Sequence, residues 1–165
     1  MHPRFLLALV LAGSVLAAET APDPVARFHA RADQALQAMQ AKAASVRIRG
    51  AAVIACVPGE RTRSWVSRME AIGDFITEYK DRKSNVLAIA YTKMAEMADT
   101  LQPSGAKIRD KYIGENAFQG GLIAPVPGGY MLVAFSGGYD LQVAKAGLDV
   151  LTAPVEDGTP TPTGP

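Results

Sequence analysis

The chain has 165 residues, of which 48% are hydrophobic and 20% are charged. This length and composition suit one globular domain, and we expect no second domain within these residues. Lys and Arg number 17 against 16 Asp and Glu, which gives a net charge of +1, and the basic residues form short groups interspersed with acidic ones. Because binding to a phosphate backbone needs clustered positive charge, we expect no nucleic acid partner.

The N-terminal segment has the pattern of a secretory signal. Arg4 precedes an uncharged apolar run over residues 5–18 that closes with the small-residue sequence Val-Leu-Ala at residues 15–17. The run is shorter than the roughly 20 apolar residues that span a bilayer. We therefore predict a cleaved signal peptide at residues 1–17, a periplasmic or secreted mature protein, and no membrane span after cleavage. Loss of Arg4 brings the formal charge to zero, and an uncleaved membrane anchor is the alternative.

The first helix is predicted over residues 25–44, where apolar residues recur at alternating spacings of four and three. Its apolar face comprises Val25, Phe28, His29, Ala32, Ala35, Leu36, Met39 and Ala43. Two strands follow at about residues 51–57 and 62–69, joined by a turn at Pro58-Gly59. The first of these strands is apolar on both faces, which predicts a central position in a sheet.

Cys56, the only cysteine, lies in this first strand, so the chain can form no internal disulfide. Its apolar neighbours predict a small buried side chain, although metal ligation or an intermolecular disulfide is the alternative. Residues 71–82 fit either a helix or a strand that continues and then turns. From Ser84, a predicted helix cap, an apolar stripe predicts a second helix that ends before Pro103.

The C-terminal part predicts a hairpin, a glycine loop and a helix. Two apolar runs at residues 122–124 and 130–135 flank a Pro-Gly-Gly turn, and Asp140 is predicted to cap a helix that reaches Leu151. The order helix, two strands, helix, two strands, helix (α-β-β-α-β-β-α) predicts an α+β fold in a single domain at residues 25–151. Residues 152–165 are rich in Pro and Thr and predict a disordered tail.

Several short motifs of the chain resemble those of the GlcG/HbpS-like proteins. They are the hairpin, glycine loop and helix between Gly120 and Leu151, the strand at residues 50–55, the Arg68-Met69 pair, and Lys93 within an Ala-Tyr-Thr-Lys-Met-Ala sequence. The resemblance covers about residues 30–151. It implies a profilin-like antiparallel sheet covered by helices, and it suggests haem as the ligand because some members of that family bind haem. Cys56-Val57 stands where the family commonly has Val-Asp, so no role of that aspartate carries over to this chain.

Two candidate ligand-binding features follow. His29 is the only histidine left after signal cleavage and lies in the predicted apolar face, so it is a candidate haem-iron ligand. Alternatively, His29 is a half-buried residue at the edge of this face or packs against another subunit. Ser136, Gly137 and Gly138 precede a helix, and their backbone N–H groups could bind a propionate or another carboxylate. Asp140 would compete for these donors, in which case the loop is only the entry to the helix.

The motifs of common enzymes are absent, including a Walker loop, a nucleophile elbow and a zinc-binding His-Glu-x-x-His. We therefore expect an exported, non-enzymatic small-ligand-binding protein that forms a homo-oligomer, and the resemblance implies haem or a related tetrapyrrole as its ligand. One alternative is a structural or sensory partner protein that assembles through its first two helices without a small ligand. Another is a small-molecule enzyme that uses backbone donors near Ser136 together with Glu70 or Glu115.

Overall fold

The computed structural model of the protein describes residues 23–79 and 81–154. The predicted signal peptide lies outside the described residues, as does the predicted tail beyond residue 154. The three helices are α1 (Pro24–Ser45), α2 (Val86–Thr100) and α3 (Asp140–Thr152). The six strands are β1 (Gly50–Pro58), β2 (Val66–Ile72), β3 (Ile76–Tyr79), β4 (Arg82–Asn85), β5 (Gly121–Val126) and β6 (Gly129–Ser136). In the part of the chain described, no helix combines the length and the apolar character needed to cross a membrane.

Four strands form one antiparallel sheet in the order β2-β1-β6-β5. Residues 50–57 of β1 are all buried, which confirms its predicted central position. The α+β class is also confirmed. The two central strands of the sheet, β1 and β6, lie far apart in the sequence, so the sheet forms only when both halves of the chain come together.

Helices cover both faces of the sheet, and alternate residues of β1 point into two separate cores. Ile54 and Cys56 pack with α1 and α3 on one face, whereas Val53 and Val57 pack with α2 on the other. The Cys56 thiol is buried as predicted, and this burial, assisted by the negative charge of Asp23, raises its pKa to about 11.

Residues 71–82, for which the sequence does not decide between a helix and a strand, contain most of a second, two-stranded sheet. Here β3 and β4 form a hairpin, and Asp81 takes a left-handed conformation in the turn between them (φ 60°). The predicted cap at Ser84 is wrong, because Ser84 lies within β4, opposite Thr77. The next residue, Asn85, caps α2 instead, and its side-chain oxygen accepts a hydrogen bond from the Ala88 N–H (3.0 Å).

Two arginines of α1 bind the carboxyl end of α3. The Arg27 guanidinium donates to the carbonyl oxygens of Thr152 (3.1 Å) and Ala153 (2.8 Å). Arg31 donates to those of Val150 (2.9 Å) and Pro154 (2.7 Å). Carbonyl groups at the end of a helix have no partner within it, and positive charge is favourable there, so both arginines stabilise the end of α3.

Candidate functional site

A buried ion pair lies at the end of the sheet where β6 passes into α3. Lys93 of α2 is only 1% exposed, and its Nζ atom lies 2.6 Å from Oδ2 of Asp140 and 2.6 Å from the carbonyl oxygen of Phe135. Burial lowers the pKa of Lys93, whereas the hydrogen bond and the negative charge of Asp140 oppose this shift. The pair therefore ties α2 to the first turn of α3.

The other oxygen of Asp140 occupies the glycine loop. Asp140 Oδ1 accepts hydrogen bonds from the backbone N–H groups of Gly137 (3.1 Å) and Gly138 (2.7 Å). The competition predicted from the sequence is therefore present, and the donors proposed for an anion bind the protein's own carboxylate. The predicted capping position is off by one residue: Asp140 is the first residue of α3, and Tyr139 occupies the N-cap without a side-chain hydrogen bond.

Gly120 closes this arrangement from the side of β5. It has a left-handed conformation (φ 114°), and a Cβ atom placed on it would lie 2.7 Å from Nζ of Lys93 and also clash with Asp140. Only glycine accommodates both the backbone angle and the contact. The backbone of Gly120 therefore packs directly against the Lys93 amine, which is 1% exposed, whereas the side chain of Asp140 keeps 23% of its surface exposed.

His29 lies far from the glycine loop and has an exposed side chain, which corrects its predicted place in the buried face of α1. Its ring contacts the ring of Phe28 edge-on, with centroids 5.6 Å apart. His29 is near the start of α1, whereas the loop lies by Ile48, just beyond the end of that helix. The separation is about 20 Å along the helix axis, so His29 and Ser136-Gly137-Gly138 do not form one small-ligand site.

An open cleft, called here the Trp65 cleft, lies elsewhere, between α2 and the connection from β1 to β2. It has a volume of about 630 Å³. Its lining comprises Arg61, Thr62, Trp65, Ala95, Ala98, Asp99 and Leu101. Trp65 is half-buried against the core on the α2 side of the sheet. The cleft thus combines apolar surface with one guanidinium and one carboxylate.

Hydrogen bonds hold the walls of this cleft in place. The Thr62 hydroxyl donates to the carbonyl oxygen of Ala98, which fixes the β1–β2 connection on α2. The Asp99 carboxylate accepts from Arg109 (2.6 Å), which also binds Glu115 (2.8 Å). Arg109 is thus shared between two carboxylates, and Arg61 is the positive group in the lining of the cleft.

The structure brings neither proposed acid into a catalytic arrangement with Ser136. Arg109 and the Tyr112 N–H lower the pKa of Glu115 to about 2, so this carboxyl group does not donate a proton near neutral pH. Glu70 lies on β2, which β1 separates from β6 and its terminal residue, Ser136. Ser136 itself is only 4% exposed.

Sequence reasoning did not select the cleft or assign a role to Lys93. The sequence signal for the cleft is weak, since it consists only of the single tryptophan of the chain after a run of basic and hydroxyl residues. The signal for Lys93 was clearer, because a lysine interrupts the apolar stripe of α2 between Ala90 and Met94. A lysine at such a position needs a buried partner.

Comparison with known proteins gives no relative. No family model, no curated protein and no solved structure shows significant similarity to this chain.

Proposed function

We propose that this chain is an exported small-ligand-binding protein of the GlcG/HbpS-like type, with a profilin-like arrangement, that binds haem or a related tetrapyrrole in the Trp65 cleft. The observation that carries the proposal is this cleft of about 630 Å³, which has an indole in its wall and Arg61 at its edge. The ligand class comes from the resemblance of the short motifs to that family. A periplasmic or secreted location belongs to the same proposal.

The chemistry of the lining fits the organic part of a tetrapyrrole. A tetrapyrrole is a flat apolar ring system that carries carboxylate side chains. Trp65 and the apolar side chains of Ala95, Ala98 and Leu101 offer contact area for the ring. Arg61 offers a guanidinium for a carboxylate.

The same lining does not fit the iron of haem. None of the seven residues is a histidine, methionine, cysteine or tyrosine, the side chains that usually ligate haem iron. His29 belongs to α1, on the opposite face of the sheet from α2, so it does not reach this cleft. Binding in the cleft therefore depends on the ring and its carboxylates rather than on the metal.

The test compares haemin with metal-free protoporphyrin IX. Trp65 is the only tryptophan, so quenching of its fluorescence by the porphyrin reports binding, and the Arg61 variant shows whether the compound lies in the cleft. We expect both compounds to quench it with similar dissociation constants. Arg61→Gln should weaken both by about five- to tenfold, equivalent to the roughly 1 kcal/mol of an exposed charge pair. His29→Ala is the matched control and should leave both affinities unchanged.

Two results would contradict this assignment. Binding of haemin alone, lost in His29→Ala, would move the site to the exposed surface of α1 and make His29 an iron ligand. If neither compound binds, the tetrapyrrole proposal is refuted, and a structural partner protein without a small ligand is favoured.

A further inference from the structure

The open edge of the main sheet is a second feature that could bind a partner. β2 pairs with β1 on one side only, and it is the edge strand of the four-stranded sheet. Apart from the pairing of β2 with β1, no backbone hydrogen bond within residues 23–79 and 81–154 reaches Ser67, Met69 or Ala71. An edge strand of this kind is a template for pairing with another strand.

The register of the sheet shows which residues of β2 face outward. The N–H of Phe135 donates to the carbonyl oxygen of Gly120, so the backbone groups of Phe135 point toward β5. The backbone groups of the neighbouring residue Ala134 then point the other way, toward Val53 of β1, with which Ala134 is paired. Because both backbone groups of a residue in an antiparallel sheet point to the same side, Val53 does not bond to Met69, its Cα partner on β2.

Met69 therefore directs its N–H and C=O to the open edge, and Ser67 and Ala71 do the same. The side chains alternate across the strand. Those of Arg68 and Glu70 lie on the α1 side, opposite Ile54 and Ala52 of β1. Met69 lies on the α2 side and is 37% exposed.

We propose that β2 pairs with β2 of a second copy of this chain, antiparallel and about a two-fold axis at Met69. In this register Met69 lies opposite its own equivalent, and Ser67 lies opposite Ala71. Arg68 then lies opposite Glu70 of the second copy, and Glu70 lies opposite its Arg68. Opposite charges that face each other across an antiparallel pair stabilise it.

The remaining pair in this register is Val66 with Ile72, both apolar and both on the α1 side. A shift by two residues would place Arg68 opposite Arg68 or Glu70 opposite Glu70, and like charges in facing positions are unfavourable. The side chains of β2 thus select one two-fold register. This self-complementarity identifies a second copy as the partner, since an isologous interface requires the same surface on both subunits.

A cleft beside the edge leaves space for the partner strand. It has a volume of about 400 Å³ and includes Arg68, Met69 and Glu70 in its lining together with four residues of α1. Asp33, one of these four, binds Arg68 at 2.6 Å, although both side chains are well exposed. Arg68 of β2 therefore already has an ion-pair partner in the monomer.

The opposite edge of the sheet is closed to such pairing. β5 carries Pro125, which has no N–H to donate. Gly121 of the same strand uses its outward groups internally, because its N–H donates to the Ser104 hydroxyl (2.8 Å) and its carbonyl oxygen accepts from the Ser104 N–H (3.2 Å). One edge is thus blocked while the other is free.

Sedimentation velocity over a range of protein concentrations tests the proposal. We expect a reversible dimer of the wild-type chain. Met69→Pro should be monomeric with a nearly unchanged melting temperature, because the lost N–H makes no bond within one subunit and proline is tolerated on edge strands. Met69→Ala keeps the N–H and is the matched control, which should still dimerise.

A charge exchange gives an independent test of the register. Arg68→Glu and Glu70→Arg, each alone, should raise the dimer dissociation constant at least tenfold. The double variant Arg68→Glu/Glu70→Arg should dimerise more tightly than either single variant, because each new charge again faces its opposite in the second copy, although the carboxylate at position 68 then also faces Asp33. Glu60→Arg, at an exposed position outside β2, makes the same charge change and should have no effect.

Three results would overturn the proposal: a monomer at all concentrations, a dimer that survives Met69→Pro, or a double variant that dimerises no more tightly than the single variants. None of these bears on ligand binding in the Trp65 cleft, which lies against α2. The two proposals therefore fail separately.

Discussion

The Lys93 ammonium group and the Asp140 carboxylate lie 2.6 Å apart, and their exposure is unequal: the side chain of Lys93 is 1% exposed and that of Asp140 is 23% exposed. Removal of Asp140 and removal of Lys93 should therefore lower the free energy of unfolding by different amounts. Without Asp140, the Lys93 charge stays buried with only the carbonyl oxygen of Phe135 as its partner. Without Lys93, Asp140 keeps its bonds to Gly137 and Gly138 and its contact with water.

We expect Asp140→Ala to lower the free energy of unfolding by about 3–5 kcal/mol, the range for a buried charge that loses its partner. Lys93→Met should cost only about 1–2 kcal/mol, since it removes hydrogen bonds but leaves no buried charge. Urea unfolding of both variants and of the double variant measures these costs. Equal costs would show that Lys93 has access to water in solution.

Gly120→Ala should destabilise the protein by about 2–4 kcal/mol, because a left-handed backbone angle and a steric clash act together. Gly114→Ala is a suitable control. Gly114 has a similar angle (φ 97°), but a Cβ atom there would meet nothing within 4 Å. It should therefore show the backbone cost alone, about 1 kcal/mol. If the two variants have the same melting temperature, the contact of residue 120 with Lys93 and Asp140 is not tight.

The stability of the protein should fall at acid pH through Glu115. In the folded protein the pKa of this residue is about 2, against 4.5 for the ordinary side chain, chiefly because of its hydrogen bonds to Arg109. As the pH falls below about 4.5, the unfolded chain takes up this proton first, so stability is lost until the pH reaches about 2. Glu115→Gln should reduce the slope of unfolding free energy against pH in this window. An unchanged slope would show that the bond to Arg109 is absent in solution.

The buried face of α2 should not accept a charge. Met94 is fully buried, and Met94→Asp should prevent folding, because an unpaired buried charge costs several kcal/mol, on the order of the stability of a small domain. The next residue, Ala95, has an exposed side chain, so Ala95→Asp should fold normally. Circular dichroism of both variants decides this. A folded Met94→Asp protein would mean that the face is accessible to water.

The sequence predicted those parts of the fold that depend on local patterns. The apolar residues of β1 gave its central position, and the spacing of Phe28, Ala32, Leu36 and Met39 gave the buried face of α1. His29 shows the limit of such patterns. It lies next to Phe28 at the edge of the apolar arc, where a small rotation of the helix decides between burial and exposure.

The candidate sites depend on contacts between distant segments, which periodicity does not reveal. The Trp65 cleft forms because the connection after β1 lies across α2, more than 30 positions further along the chain. The partner of Lys93, Asp140, lies 47 residues away. Residues 71–82 stayed open between helix and strand for another reason: in the short strands β3 and β4, apolar and polar residues do not alternate regularly enough to exclude a helix.

The bonds from Arg27 and Arg31 to residues 150–154 make the start of the domain depend on its end. During synthesis, α1 emerges first but has neither α3 to pack against nor the carbonyl groups that its arginines bind. The N-terminal helix can pack against β1 early, but its contacts with α3 form only when almost the whole chain is present. We expect chains that stop before Val150 to remain unfolded, and the folding of this protein to follow its synthesis rather than accompany it.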